Sequence, residues 1–79
     1  MNLYLIDRSD PTDWDEWDGA VVAAKNEDEA RATHPGSYPD WDGKGGGSWV
    51  NKEHVVVTYL GEAKPNTKSG VILSSFRAG

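Results

Sequence analysis

The sequence predicts an α+β fold: a mostly antiparallel sheet of about four strands, in the order β-β-α-β-β along the chain, with one short helix packed on a face. Three observations carry this reading. Four apolar segments are each of strand length, a single capped helical segment lies between the second and third, and turn-forming residues separate them. The 79 residues make one small domain, 1–79, with no internal repeat and no linker between domains.

Leu3-Tyr4-Leu5-Ile6 is a short apolar run ended by Asp7 and the turn-prone Ser9-Asp10-Pro11, which predicts a buried strand. Asp10 to Glu16 reads as a polar connection. Trp17 to Ala24 then ends in Ala20-Val21-Val22-Ala23-Ala24, a second strand whose small residues suit close packing, and a long hairpin is the simplest join. Asn26 is a good N-cap, with Glu27, Asp28 and Glu29 in the first turn, where carboxylates favour the helix dipole. Glu29 stands three residues after the cap, as in a capping box. Ala30 to Thr33 continue the helix and Pro35-Gly36 ends it after His34, giving about two turns that must dock on a sheet to persist.

Pro39, Gly43 and Gly45-Gly46-Gly47 mark residues 36–48 as a flexible loop. Trp41 and Trp49 bracket its glycine-rich part, so at least one is expected to pin it to the body. His54 to Leu60 is the strongest strand signal, dominated by β-branched residues. A turn-rich stretch around Pro65-Asn66 leads to the last strand, Val71 to Phe76.

A chain this short buries a modest share of its surface, and with no cysteine it has no disulfide to reinforce it. Four tryptophans, three tyrosines and one phenylalanine supply core mass instead, each ring able to bury roughly 150–250 Å². The missing cysteines also remove thiolate chemistry and cysteine-ligated metals, and fit a reducing cytoplasm. No run approaches the roughly 20 apolar residues of a membrane span. The first ten residues lack the pattern of a signal peptide, so the protein is expected to stay in the cytoplasm where it is made.

The formal net charge of −5 is unevenly spread: −8 over residues 1–42 and +3 over residues 43–79. Such asymmetry steers a partner of opposite charge and repels nucleic acid from the first half. The acids between Asp7 and Asp18 are dense around aromatics. A row of carboxylates on a rigid surface can stand in for a phosphate backbone and occupy a basic groove. The candidate partner-binding residues are therefore Asp10, Asp13, Asp15, Glu16, Asp18, Glu27 and Asp28, with Trp14. The competing reading is a solvated hairpin with Trp14 and Trp17 turned inward.

Other motifs carry less. Asp13, Asp15 and Asp18 with Gly19 have loose calcium-loop character, but the spacing D-x-D-x-x-D-G lacks the downstream glutamate. Trp41-Asp42-Gly43 echoes Trp17-Asp18-Gly19, and both read as turn chemistry. Gly43 to Ser48 has its lysine misplaced for a phosphate loop and precedes a strand rather than a helix. His34 and His54 lack a neighbouring nucleophile motif, and the serines lack an elbow. No catalytic, cofactor or metal residue is assigned, and no enzymatic activity is expected.

Leu3-Tyr4-Leu5-Ile6, Ala20 to Ala24, Glu29-Ala30-Arg31 with His34-Pro35, Trp41-Asp42-Gly43-Lys44 and Trp49 together resemble a family of short phage and prophage proteins. So do Gly61-Glu62-Ala63, Gly70-Val71-Ile72, Ser75-Phe76 and Ala78-Gly79, so the resemblance covers nearly all of the chain. The chain is similar to anti-CRISPR proteins, in particular inhibitors of a type I-C surveillance complex. The resemblance implies a non-enzymatic protein of the host cytoplasm whose partner is a basic ribonucleoprotein, the CRISPR surveillance complex; the chain itself is expected to be a monomer. Its implied action is blocking target DNA by filling the basic channel. It carries over no binding residue; the acidic cluster is read from charge alone. The alternative is another phage accessory interaction module, with Trp14 and Trp41 as hot spots.

Overall fold

The computed structural model describes residues 1–10 and 15–77. These form strands β1 (Asn2–Arg8), β2 (Glu16–Ala24), β3 (Val55–Glu62) and β4 (Gly70–Arg77), with a short helix α1 (Glu27–Arg31) between β2 and β3. Every paired neighbour is antiparallel and the sheet order is β3-β1-β2-β4. The architecture is the α+β class expected from the sequence, in the expected element order. No helix among the described residues is long and apolar enough to cross a membrane.

The two central strands are the first hairpin. β1 meets β2 from Asn2↔Ala24 to Asp7↔Gly19, and β3 and β4 add to the outer edges. The link between them crosses the ends of both central strands. It leaves β3 at Glu62, opposite Asn2, and enters β4 at Gly70, opposite Ala23. Three inter-strand steps come to about 14 Å, well within reach of the connecting residues. Asn66 takes φ +70 in the turn after Pro65, a conformation that asparagine tolerates.

Alternation along the strands sorts the side chains. Tyr4 and Ile6 of β1, Ala20, Val22 and Ala24 of β2, and Val55 of β3 gather with Ala30 of α1 and Trp49 from the loop into the buried core. Ile6, Val22, Ala24 and Ala30 are fully buried. The small residues of β2 and Ala30 let α1 lie close to the sheet, as the run Ala20 to Ala24 suggested. Leu3, Leu5 and Val21 face the other way, onto the side of the sheet that α1 leaves uncovered. A shallow groove of about 450 Å³ runs there between Leu5, Asp7, Val21, Leu73 and Ser75.

Three register shifts each insert one residue: Asp18 in β2, Leu60 in β3 and Ile72 in β4. Bulges on edge strands interrupt the ladder and discourage pairing with another chain. The strands extend one or two residues beyond the apolar runs that predicted them, because ladder hydrogen bonds continue through polar residues such as Arg8 and Glu16. The helix is shorter than the predicted two turns. Ala32 caps it at φ −87, ψ 4, and Thr33 bonds back to the Ala30 carbonyl, tightening the end. Pro35 disfavours helical backbone at His34, which ends the helix by Arg31 rather than at His34. A 3₁₀ turn over Lys52–His54, absent from the sequence reading, takes His54 out of β3.

Candidate functional site

The predicted acidic cluster lies at the end of the sheet where β1 stops and β2 begins, and its organiser is a cation. Arg8 sits on the same face of β1 as Tyr4 and Ile6, and its side chain is only 5% exposed. Its guanidinium donates to Asp10 at 2.8 and 3.1 Å, to Glu16 at 3.5 Å and to the Trp17 carbonyl at 3.3 Å. It also lies 6.0 Å from the centre of the Trp49 ring. Planar, five-donor geometry lets one arginine serve all these partners. The hydrogen bond from Arg8 holds the Asp10 carboxyl below the ordinary carboxylate range, and the same bond raises the Arg8 guanidinium further.

Asp15 is exposed at φ +60, and its backbone N–H donates to the Arg77 carbonyl, which joins the start of β2 to the end of β4. Asp18 is half-buried at its bulge and accepts from the Ser75 hydroxyl at 3.0 Å. Asp10, Asp15, Glu16 and Asp18 thus gather at one end of the molecule, with Arg8 and Arg77 set among them. Asp13 and Trp14 lie outside the described residues. Trp17 turns inward, against the core and edge-on to Phe76 at 4.7 Å between ring centres.

Glu27 and Asp28 belong to a different element. They lie in the first turn of α1, where Asn26 accepts from the Glu29 N–H at 2.8 Å as the predicted cap. Glu27 pairs with Arg31 at 3.0 Å, and Arg31 also reaches the Val55 carbonyl, tying helix to sheet. No bond among the described residues links these acids to the hairpin group.

The glycine-rich loop is an ordered scaffold rather than a flexible segment. Asp42 accepts from the Lys44 N–H and the Trp41 indole donates to the Lys44 carbonyl, which is the turn chemistry expected of Trp41-Asp42-Gly43. Gly45 lies so close to the backbone of Val50 and Asn51 that a Cβ there would collide. Gly46 and Trp49 exchange backbone hydrogen bonds, and the resulting turn drives Trp49 into the core at 3% exposure. Its indole nitrogen has no hydrogen-bond partner among the described residues. Of the described part of the calcium-like motif, Asp18 and Gly19 belong to β2 and Asp15 immediately precedes it. No group of three or more metal-ligating residues occurs among the described residues.

A second feature escaped the sequence reading. His34 is 6% exposed and ringed by Tyr38, Trp41 and Trp49 at centroid distances of 4.6, 5.4 and 6.4 Å. Burial pushes its imidazole below the ordinary value, so it is neutral at pH 7. Its Nδ1 accepts from the Gly36 N–H at 2.8 Å, which leaves the proton on Nε2. His34 forms part of the wall of a cleft of about 560 Å³ between the end of α1, the following loop and the start of β4. Only the His34-Pro35-Gly36 sequence hinted at it, through the turn in which proline and glycine let the imidazole bond forward. Comparison of the chain with protein families, with curated proteins and with solved structures gives no match.

Proposed function

We propose that this protein is a non-catalytic binding module that presents the acidic end of its first hairpin to a basic macromolecular partner, occupying a surface that otherwise holds nucleic acid. The carrying observation is the gathering of Asp10, Asp15, Glu16 and Asp18 at one sheet end, fixed by Arg8 and by the junction with β4. Carboxylates held on a braced hairpin offer a fixed charge pattern with little ordering cost on binding. The resemblance to anti-CRISPR proteins names the partner class: a type I CRISPR surveillance complex whose DNA channel the acidic end fills.

The test is target-DNA binding by a purified type I complex, with and without saturating protein. Loss of DNA binding is expected, relieved by rising salt and by the triple variant Asp10→Asn, Asp15→Asn, Asp18→Asn. Undiminished DNA binding would remove the surveillance complex as partner. Inhibition that the triple variant leaves intact would remove mimicry.

A second reading, an accessory protein–protein interaction module, draws support from a specific observation, although not from tryptophans. Trp41 is half-buried with its indole N–H engaged, whereas Ile72, Leu73 and Phe76 on β4 and Val56, Tyr59 and Leu60 on β3 are exposed. Binding through those side chains would be insensitive to salt, unlike binding through the carboxylates.

A further inference from the structure

The cleft beside His34 is a recognition pocket, and from its lining we infer that it receives an arginine side chain of a protein partner. Glu29 supplies the charge. Asn26 makes its half of the cap, but the Glu29 carboxylate forms no hydrogen bond or ion pair among the described residues, and Glu29 is one of the residues that line the cleft. Glu27, two residues earlier in the same acidic run, has Arg31 as its counter-ion. Tyr38 supplies a flat surface: the residue is 60% exposed, and its ring meets His34 at 4.6 Å between centres. A guanidinium stacks on such a ring and pairs with a carboxylate at once, which an ammonium does less well.

The remaining polar groups suit the rest of an arginine residue. Thr33, Ser37 and Ser69 line the cleft, and a hydroxyl oxygen can accept from a five-donor fork. Thr33 directs its own proton to the Glu29 carbonyl at 2.9 Å, leaving its oxygen lone pairs for a ligand. His34 Nε2 bears a proton, has no hydrogen-bond partner among the described residues and is not shut off from solvent as Trp49 Nε1 is. That N–H is matched by a backbone carbonyl of the incoming chain. The net charge of −5 favours a cation over an anion in this cleft.

This inference deepens the reading of the protein as a binder of a basic partner, and its test needs no partner. Short capped peptides carrying arginine, lysine or citrulline at the centre are titrated into the labelled protein and followed by amide NMR shifts. The arginine peptide is expected to give saturable shifts centred on Glu29, Thr33, Tyr38, Ser69 and Gly70. Glu29→Gln should weaken it about tenfold, as loss of a charge-assisted hydrogen-bonded pair predicts, and Tyr38→Ala should weaken it less. Unchanged core resonances in both variants establish that they fold. Absence of saturable shifts, equal binding of the lysine or citrulline peptide, or indifference to Glu29→Gln would each overturn the assignment. Failure of the surveillance-complex experiment with success here would leave the pocket standing.

Discussion

The acids at the hairpin end and the acid in the cleft look alike in the sequence and differ in the fold. Asp10 and Glu16 flank a buried arginine that takes up much of their charge, whereas Glu29 lines an open cleft with no counter-ion among the described residues. Charge density along a chain therefore overstates the charge available to a partner. Arg8 of β1 balances Asp10 and Glu16, and Arg77 at the end of β4 meets the chain at Asp15. What remains outward at the hairpin end is a pattern fixed by Arg8, while at the cleft a single carboxylate works together with an aromatic ring.

Substitutions can break this contrast, the strongest first. A side chain at Gly19 would run into the Ile6 carbonyl, so Gly19→Ala should force β1 and β2 apart at the hairpin end and cost about 3 kcal/mol, measurable by urea unfolding. Arg8→Met keeps the stem but removes the guanidinium, and hydrogen bonds to charged groups set its expected cost at about 2 kcal/mol. It should also let the Asp10 carboxyl return upward toward its ordinary value in an NMR titration. Asn26→Ala removes the cap of α1 and should cost about 1 kcal/mol, read in the same unfolding assay.

The pH dependence sharpens the contrast because the two sites titrate in separate windows. His34 is depressed in the folded state below its ordinary 6.5. Its stabilising contribution is therefore complete above that pH and declines as pH falls through 6.5 toward the folded value. Asp10 is depressed below 3.8, so its contribution holds above that pH and is lost only in stronger acid. Stability measured from pH 8 to pH 3 should decline first with His34 and later with Asp10, and His34→Gln should abolish the first decline. The smallest effect is expected at Glu29→Gln: a shift within about 0.5 kcal/mol, since no folded contact is lost.

The sequence made some of this legible and not the rest, for reasons that can be named. Strand and helix periods are local, so the segments around Leu3–Ile6, Ala20–Ala24, His54–Leu60 and Val71–Phe76 could be read directly, as could the Asn26 cap. Strand order is a long-range property: nothing local says that β3 joins β1 while β4 joins β2. The role of Arg8 was hidden because it lies beyond the apolar run, although its two-residue spacing from Ile6 places it on the core face. The position of Glu29 fits half of a capping box, yet the fate of its side chain depends on the cleft that His34 and Tyr38 help to form. That at least one of Trp41 and Trp49 pins the loop follows from a large apolar ring beside glycines having few other places to go; Trp49 enters the core and Trp41 packs against it.

The central claim is that a basic partner reads the carboxylates at the hairpin end. Its most direct test is the affinity of the purified surveillance complex for this protein across a salt series, for the natural chain and for the Asp10→Asn, Asp15→Asn, Asp18→Asn variant. Binding that weakens with salt in the natural chain, and that is about tenfold weaker with a shallower salt slope in the variant, is the predicted result. Equal affinity and equal slope for the two folded proteins would contradict it.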